Sequence, residues 1–398
     1  MKKLGVIFGG VTCEHDVSVV SGLQLIENVN KNKYEVIPIY IHSNGEWYTG
    51  NELLNSKIYK EFDKHEASLK KAIIPPNQKG LLVFEKGLFA KNRFIELDVV
   101  IPAMHGMNGE DGTLQGLLEL ANIPYTSSGV LGSSVGMDKI LMKKVFEAHE
   151  LPVLPYTYFI RDEWNENQEK VLEKIESILS YPMFVKPSNL GSSIGISKAK
   201  DRKGLINAIE IAVNYDSRVI VEKGVEELIE INCSALGIGD DVNTSVCEQP
   251  VNWEEFLTFE DKYMRGSKSS KNTNKTSNKS GTKQGGMENM DRRIPANIPD
   301  EQTKEIQELT KKAFKSLNSK GVVRIDYIID KKDEKVYINE INTIPGSFSF
   351  YLWKHNGLEY PELIDKLVEI AEKANQEKNK NNYTYKSDII GNITKIEK

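Results

Sequence analysis

The chain has 398 residues, of which 39% are hydrophobic and 27% charged, and its formal net charge is −5. That length suits two or three packed domains, and the acidic balance lacks the basic field that a nucleic-acid partner requires. No apolar run approaches the ~18 residues of a membrane span. The three cysteines, Cys13, Cys233 and Cys247, form no C-x-x-C pair, which points to a reducing, cytoplasmic compartment.

In chain order, residues 1–127 alternate short apolar runs with helical patterns. Leu4 to Phe8, Tyr34 to Ile41 and Leu97 to Ala103 read as buried strands, and Val17 to Val29 and Thr113 to Ala121 as helices. Such alternation predicts a parallel sheet covered on both faces. The loops Gly9 to Ser18 and His105 to Gly112 follow strand ends, where open α/β sheets bind ligands. Residues 128–221 form a second region, with helices at Asp138 to His149 and about Trp164 to Leu179, and a strand at Met183 to Val185. Residues 222–375 form a third, with strands at Leu228 to Leu236, Val322 to Ile329 and Val336 to Ile341. A helix from Glu301 to Leu317 takes Asp300 as its N-cap. Gly266 to Gly286 is nearly all Ser, Lys, Asn, Thr and Gly, with little to bury. The tail 376–398 is polar.

The strongest chemical signal is a hairpin. Residues two apart on a strand share a face, so Arg324 and Asp326 point one way, as do Glu340 and Asn342. If the two faces coincide, two carboxylates and an amide meet beside an arginine, a set of hard oxygen donors suited to Mg²⁺. The competing reading is a solvated strand face with cross-strand ion pairs. In Lys186-Pro187-Ser188-Asn189-Leu190-Gly191-Ser192-Ser193-Ile194-Gly195, a strand-end lysine precedes small residues whose backbone N–H groups can face phosphate oxygens. The competing reading is a polar turn. Lys139 is a further candidate phosphate cation, against a solvated helix lysine. Glu222 and Glu230 on neighbouring strands, and Glu14 and His105 in glycine-containing loops, carry the same two readings, site or structural pairing. G-x-S-x-G, H-E-x-x-H and the full G-x-G-x-x-G are absent, which argues against a typical serine hydrolase, a zincin and fingerprint dinucleotide binding.

Taken together, the motifs resemble the D-alanine–D-alanine ligases of the ATP-grasp superfamily. They are Gly9-Gly10 through Glu14-His15-Asp16-Val17-Ser18; His105-Gly106 with Gly109-Glu110-Asp111-Gly112 and Gln115-Gly116; Met137-Asp138-Lys139; Lys186-Pro187 with Gly191-Ser192-Ser193; Arg324 with Asp326; and Glu340 with Asn342-Thr343-Ile344-Pro345-Gly346. They keep the family's order from about residue 3 to about residue 373.

The resemblance implies an α/β chain, α+β in its ATP-grasp part, with an N-terminal Rossmann-like domain and ATP held between two ATP-grasp subdomains. It implies ATP, two Mg²⁺ ions with Mn²⁺ as a substitute, D-alanine as substrate, no nucleic-acid or membrane partner, and a homodimer. By matching positions, Lys139, Lys186, Ser193, Glu222, Glu230 and Lys262 fall on the nucleotide. Asp326, Glu340 and Asn342 fall on the metals. Glu14 and His105 fall on the first D-alanine, Ser192 on closure of the loop, and Arg324 on the tetrahedral intermediate and the second substrate. Lys262-Tyr263 matches an active-site lid, here followed by the lysine-rich insertion. Gly346 and Tyr351 fall on the second substrate's carboxylate. Tyr351 stands where the family often has serine, so D-serine and D-lactate remain alternative second substrates. The product would be a peptidoglycan precursor dipeptide; the competing class is a non-catalytic nucleotide-binding module.

Overall fold

The computed structural model describes residues 1–87, 90–251, 292–385 and 387. Lys262, Tyr263 and the insertion at 266–286 lie outside the described residues.

The strand Lys2–Gly9 lies one in from the edge of a seven-stranded sheet. It pairs in parallel with Tyr34–Ile41 on one side and Val99–Pro102 on the other. Its side chains alternate between two cores. Val6 and Phe8 pack under the helix His15–Asn28 and the C-terminal helix Tyr360–Lys378. Ile7 packs with Leu114 and Leu118 of the helix Thr113–Leu120. Both faces are therefore covered, as the continuous apolar runs predict. The sheet is nevertheless mixed rather than all parallel. Trp47–Thr49, Lys70–Ile73, Gly80–Val83 and Arg93–Glu96 extend it as an antiparallel meander. These strands are only three or four residues long, too short for an alternation to stand out in the sequence.

A second sheet carries Ser197–Ala199, Met183–Pro187, Arg218–Lys223 and Tyr156–Ile160 in that order, all antiparallel. Its core gathers Phe159, Trp164, Ile175, Val185 and Ile209. The single helix expected from about Trp164 to Leu179 is two, Arg161–Glu166 and Gln168–Ile178. Asn167 interrupts it because its side chain accepts the Lys170 N–H and starts the second helix as an N-cap.

The third sheet orders Asp241–Thr244, Leu228–Ile238, Lys320–Asp330 and Val336–Asn342, again antiparallel. The helix Asp300–Ser316 covers it through Ile306, Ala313 and Phe314. Pro299, not Asp300, occupies the cap position, and Asp300 is the first helical residue without a side-chain capping bond. The helix Lys139–Ala148 joins this same core by Met142 and Phe146, both fully buried. Burying two such side chains contributes roughly 2 kcal/mol each, which anchors the helix that carries Lys139 and Lys143. The C-terminal helix continues past Ala374 to Lys378, where an ion pair with Glu119 ties the start of the polar tail to the first domain.

Candidate active site

Two rows of polar residues cross the third sheet. Asp326 is the backbone partner of Glu340, and Arg324 of Asn342. Laterally paired residues share a face, so the two faces of the hairpin do coincide. Arg324 donates from Nε to Asp326 Oδ1 at 2.7 Å and from a terminal nitrogen to Oδ2 at 2.8 Å. Burial opposes the Arg324 charge, but Asp326, Tyr351 and Glu248 more than offset it and hold the guanidinium firmly charged. Asn342 Nδ2 donates to Asp326 Oδ2 at 3.1 Å, which leaves its own Oδ1 as an acceptor.

A bulge accounts for the rest of the hairpin. After Asp326–Glu340 the register jumps to Tyr327–Ile338, so Asn339 has no partner residue across the ladder. Its amide oxygen accepts from Lys186 Nζ at 3.1 Å. The sequence holds a trace of the bulge: the buried positions Val336, Ile338 and Ile341 are spaced two and then three apart.

Lys139 opens its helix because Asp138 caps it, accepting the Ile140 and Leu141 N–H groups at 3.0 and 2.9 Å. Asp138 also takes the Ser188 hydroxyl at 3.0 Å and pairs with Arg218. The Lys139 N–H donates to the Ser188 carbonyl at 3.0 Å. The helix start is thereby fixed to the Lys186-to-Gly195 loop. Lys139 Nζ lies 3.7 Å from Glu340 and donates to the Leu190 carbonyl at 2.6 Å.

Glu222 receives Lys186 Nζ on Oε2 at 2.7 Å, and Lys143 Nζ lies 3.2 Å from Oε1. Burial alone would raise this carboxyl, but the two ammonium groups prevail and lower it to about 2. The same burial lowers the fully enclosed Lys143, against the pull of Glu222. Lys143 does not figure among the sequence candidates. Its signal was spacing, four residues after Lys139 on the same helical face. Glu230 lies exposed on the strand Leu228–Ile238, opposite Ile328.

On the other wall, the Ser192 hydroxyl donates to Glu14 Oε1. Gly106, at φ +70°, and Gly191 press against the same carboxylate: a Cβ on either would come within 2.4 and 2.9 Å of Glu14 Oε2. Ser192 and Ser193 both take left-handed backbone, φ 54° and 61°. Glu110 accepts the Gly106 N–H at 2.9 Å and the Ile344 N–H at 2.8 Å. Burial and then the Glu14 charge push its carboxyl up to about 8. Glu14, Glu110, Lys139, Gly191, Glu340 and Asn342 line one small cavity.

His105 is enclosed, and burial pulls its imidazole down to about 4, so it is neutral at pH 7. Its Nδ1 lies 3.0 Å from the Ile344 carbonyl and its Nε2 2.8 Å from Ser21 Oγ. A carbonyl only accepts, so Nδ1 carries the proton and Ser21 donates to Nε2. Ser21 Oγ in turn accepts the Ser347 N–H at 3.3 Å, and Ser347 Oγ donates to Gln24 at 2.6 Å. These bonds hold the turn after Gly346, where Ser347, Phe348 and Ser349 have φ of 49°, 57° and 50°. Three consecutive non-glycine residues there are strained by about 1 kcal/mol or more each. The Tyr351 hydroxyl donates to Glu248 Oε2 at 3.0 Å, and burial pushes the phenol up to about 12.

This architecture is shared with solved ligases. Profiles of the D-ala D-ala ligase N-terminus and C-terminus match residues 3–128 and residues 145–284 and 279–369. The D-alanine–D-alanine ligase of Bacillus cytotoxicus is 39% identical over 96% of this chain and 99% of its own. That of Caldicellulosiruptor bescii is 40% identical over 96% and 98%. The structure of the Coxiella burnetii D-alanine–D-alanine ligase superposes with a TM-score of 0.76 at 28% identity, covering 96% of this chain and 98% of its own. The VanG D-Ala:D-Ser ligase of Enterococcus faecalis gives 0.76 at 33%, covering 93% and 99%. The fold is that of an ATP-grasp ligase. The chain belongs to the D-alanine–D-alanine ligase family.

Proposed function

We propose that the protein joins two D-alanine molecules, using ATP to form a D-alanyl phosphate that the amine of the second D-alanine attacks, with ADP and phosphate released. The observation that carries this reading is the meeting of Asp326, Glu340 and Asn342 on one sheet face beside Arg324, with Lys139 reaching Glu340 from the facing helix.

The donor set fits a divalent cation. Asp326 accepts once on Oδ1, from Arg324, and twice on Oδ2, from Arg324 and Asn342, so Oδ1 is its oxygen with the lighter load, and the Asn342 amide oxygen and Glu340 add hard donors. Those three residues would hold two Mg²⁺ ions, with Mn²⁺ as a substitute. When bound, they supply neutralising charge to crowded phosphate and carboxylate oxygens.

The protein's own groups do the rest. Glu14, held by Ser192, receives the ammonium of the first D-alanine. Lys139 and Lys186 draw in phosphoryl oxygens, with Ser193 in the adjoining loop. Two like charges at 4 Å repel by about 4 kcal/mol at an effective dielectric near 20, so without these cations the reactants would not approach. Glu222 and Glu230 mark the nucleoside side. Arg324 faces the oxyanion of the tetrahedral intermediate, and the phosphate leaves as that intermediate collapses. Neutral His105 orients the Ile344-to-Gly346 turn without adding charge.

Incubation with ATP, Mg²⁺ and D-alanine, with phosphate release and product mass measured together, tests the reading. One dipeptide per phosphate is expected; absence of the dipeptide sinks it. D-serine as the second substrate is the alternative that Tyr351 and the similarity to a D-Ala:D-Ser ligase favour. A homodimer in the cytoplasm completes the proposal. It is consistent with three free cysteines and with described helices too short or too polar to cross a membrane.

A further inference from the structure

A second and larger cleft opens where the first domain, the third sheet and the C-terminal helix meet. Its volume is about 1120 Å³, and it shares no lining residue with the small cavity of the candidate active site. Pockets for small organic molecules span about 300–1,000 Å³, so it has room for one. One wall is the end of the helix Thr113–Leu120 with the turn to Tyr125, and the other is the last part of the C-terminal helix. Two contacts tie the walls together: Asn375 Nδ2 donates to Asn122 Oδ1 at 3.2 Å, and Lys378 pairs with Glu119. Leu120, Ile123, Pro124, Ile238 and Ala371 give the cleft an apolar surface.

Two polar side chains in this lining lack the partners they call for. Lys320, the first residue of the strand Lys320–Asp330, holds its ammonium 3.7 Å from the centre of the Tyr125 ring and donates to the Tyr125 carbonyl at 3.2 Å. Its other N–H groups meet no acceptor atom among the described residues, and no described carboxylate pairs with it. Glu119 is held instead by Lys378 and by the Tyr125 hydroxyl, at 2.7 Å. Burial pulls the Lys320 ammonium down to about 8; Glu119 opposes the fall and Lys378 adds to it. Beside it, Ser319 is 3% exposed, and its hydroxyl has no partner among the described residues. Donors left unused in apolar surroundings cost free energy that an acceptor would recover.

We propose that this cleft binds a small monocarboxylate with an apolar body, its oxygens taken by Lys320 and Ser319 and its body laid on the apolar wall. One unpaired ammonium balances one negative charge. Glu119 and Glu377 line the same cleft and repel a dianion such as phosphate, which also gains nothing from the apolar wall. The site lies apart from the residues assigned to the reaction. It sits at the start of the strand that carries Arg324 and Asp326, where Ser128 of the first domain donates to the Lys320 carbonyl at 3.4 Å. A ligand there bridges the first domain, that strand and the C-terminal helix.

The full-length protein is titrated calorimetrically with 4-methylpentanoate at neutral pH, with 4-methylpentanamide and inorganic phosphate as controls. The carboxylate should bind saturably with a Kd on the order of 1 mM, and both controls more weakly by about 10-fold. Lys320→Met should weaken the carboxylate by about 10-fold, the loss of a charge-assisted contact. Glu119→Gln frees Lys378 as well and should tighten it by about 3-fold. Because the anion binds protonated Lys320, affinity should fall about 10-fold for each pH unit above 8. Glu119, Tyr125, Glu377, Lys378 and Tyr383 line the same cleft, so the fall must vanish in Lys320→Met to belong to Lys320. Should Lys320→Met not fold, Glu119→Gln and the pH profile decide. Binding of the amide equal to that of the carboxylate, unchanged affinity in a folded Lys320→Met, or displacement of the probe by ATP with Mg²⁺ overturns the inference. A probe that splits a dimer in sedimentation overturns it too, since the cleft then belongs to a second copy of the chain.

Discussion

Asp326 and Glu340 are direct cross-strand partners, two carboxylates side by side, with Arg324 and Asn342 bonded to Asp326 and Lys139 close to Glu340. Like charges placed opposite one another destabilise a sheet unless something neutralises them.

From this pairing follows an asymmetry between the two acids. Glu340→Ala should lower phosphate release by about 100-fold or more, in keeping with the loss of a transition-state charge contact, while leaving thermal stability nearly unchanged. Asp326→Ala should abolish turnover and also destabilise the fold, because it strands the half-buried Arg324 guanidinium. Removing one partner of such a pair costs about 3 kcal/mol. Thermal melts beside the phosphate assay separate the two, and equal melting temperatures would contradict the pairing.

The Lys143–Glu222–Lys186 cluster predicts a second asymmetry. Glu222→Gln leaves two buried ammonium groups facing each other, and chemical denaturation should show a loss of about 3–5 kcal/mol. Lys143→Met leaves one balanced pair, Lys186 with Glu222, and fills the same space with apolar atoms. Its loss should be the smaller by about 2 kcal/mol. A lysine variant as damaging as the glutamate variant would show that Lys143 does more than balance charge.

His105 sets a pH dependence. Its imidazole is lowered from 6.5 to about 4 in the folded protein. Between those values the unfolded chain binds a proton that the folded chain refuses, so stability falls as pH drops from 6.5 toward 4. The full swing is about 3 kcal/mol. His105→Gln should flatten this part of the stability–pH curve, read as melting temperature across that window. A slope unchanged in the variant would assign the acid loss to other groups.

Glu14 and Glu110 face each other across the first-substrate wall, and burial with the Glu14 charge raises Glu110 to about 8. Between pH 4.5 and 8 folding therefore takes up a proton, and Glu110 contributes less to stability as pH rises through that range. Glu14→Gln removes the neighbouring charge. It should raise the D-alanine KM by about 10-fold through loss of a charge-assisted contact, and it should lessen the decline in stability toward pH 8. A KM unchanged from that of the unaltered protein would remove Glu14 from the ammonium site.

Much of the hairpin was legible in the sequence because strand alternation is local. Arg324, Asp326, Glu340 and Asn342 share a face by counting in twos, and the capped helix at Asp138 puts Lys139 at its first turn. The bulge at Asn339 left a trace in the three-residue step from Ile338 to Ile341. What the residues could not say locally is which distant group each would meet. Lys143 looks like any helix lysine until the sheet brings Glu222 to it. Glu248 and Arg292 flank a long intervening segment and join Tyr351 only in three dimensions. The mixed order of the first sheet was hidden by its strands of three or four residues. Motif order and local period set the family, the hairpin and the first polar row. The tertiary structure alone closed the buried charge clusters, because pairing between strands and burial of charge depend on contacts far apart in the chain.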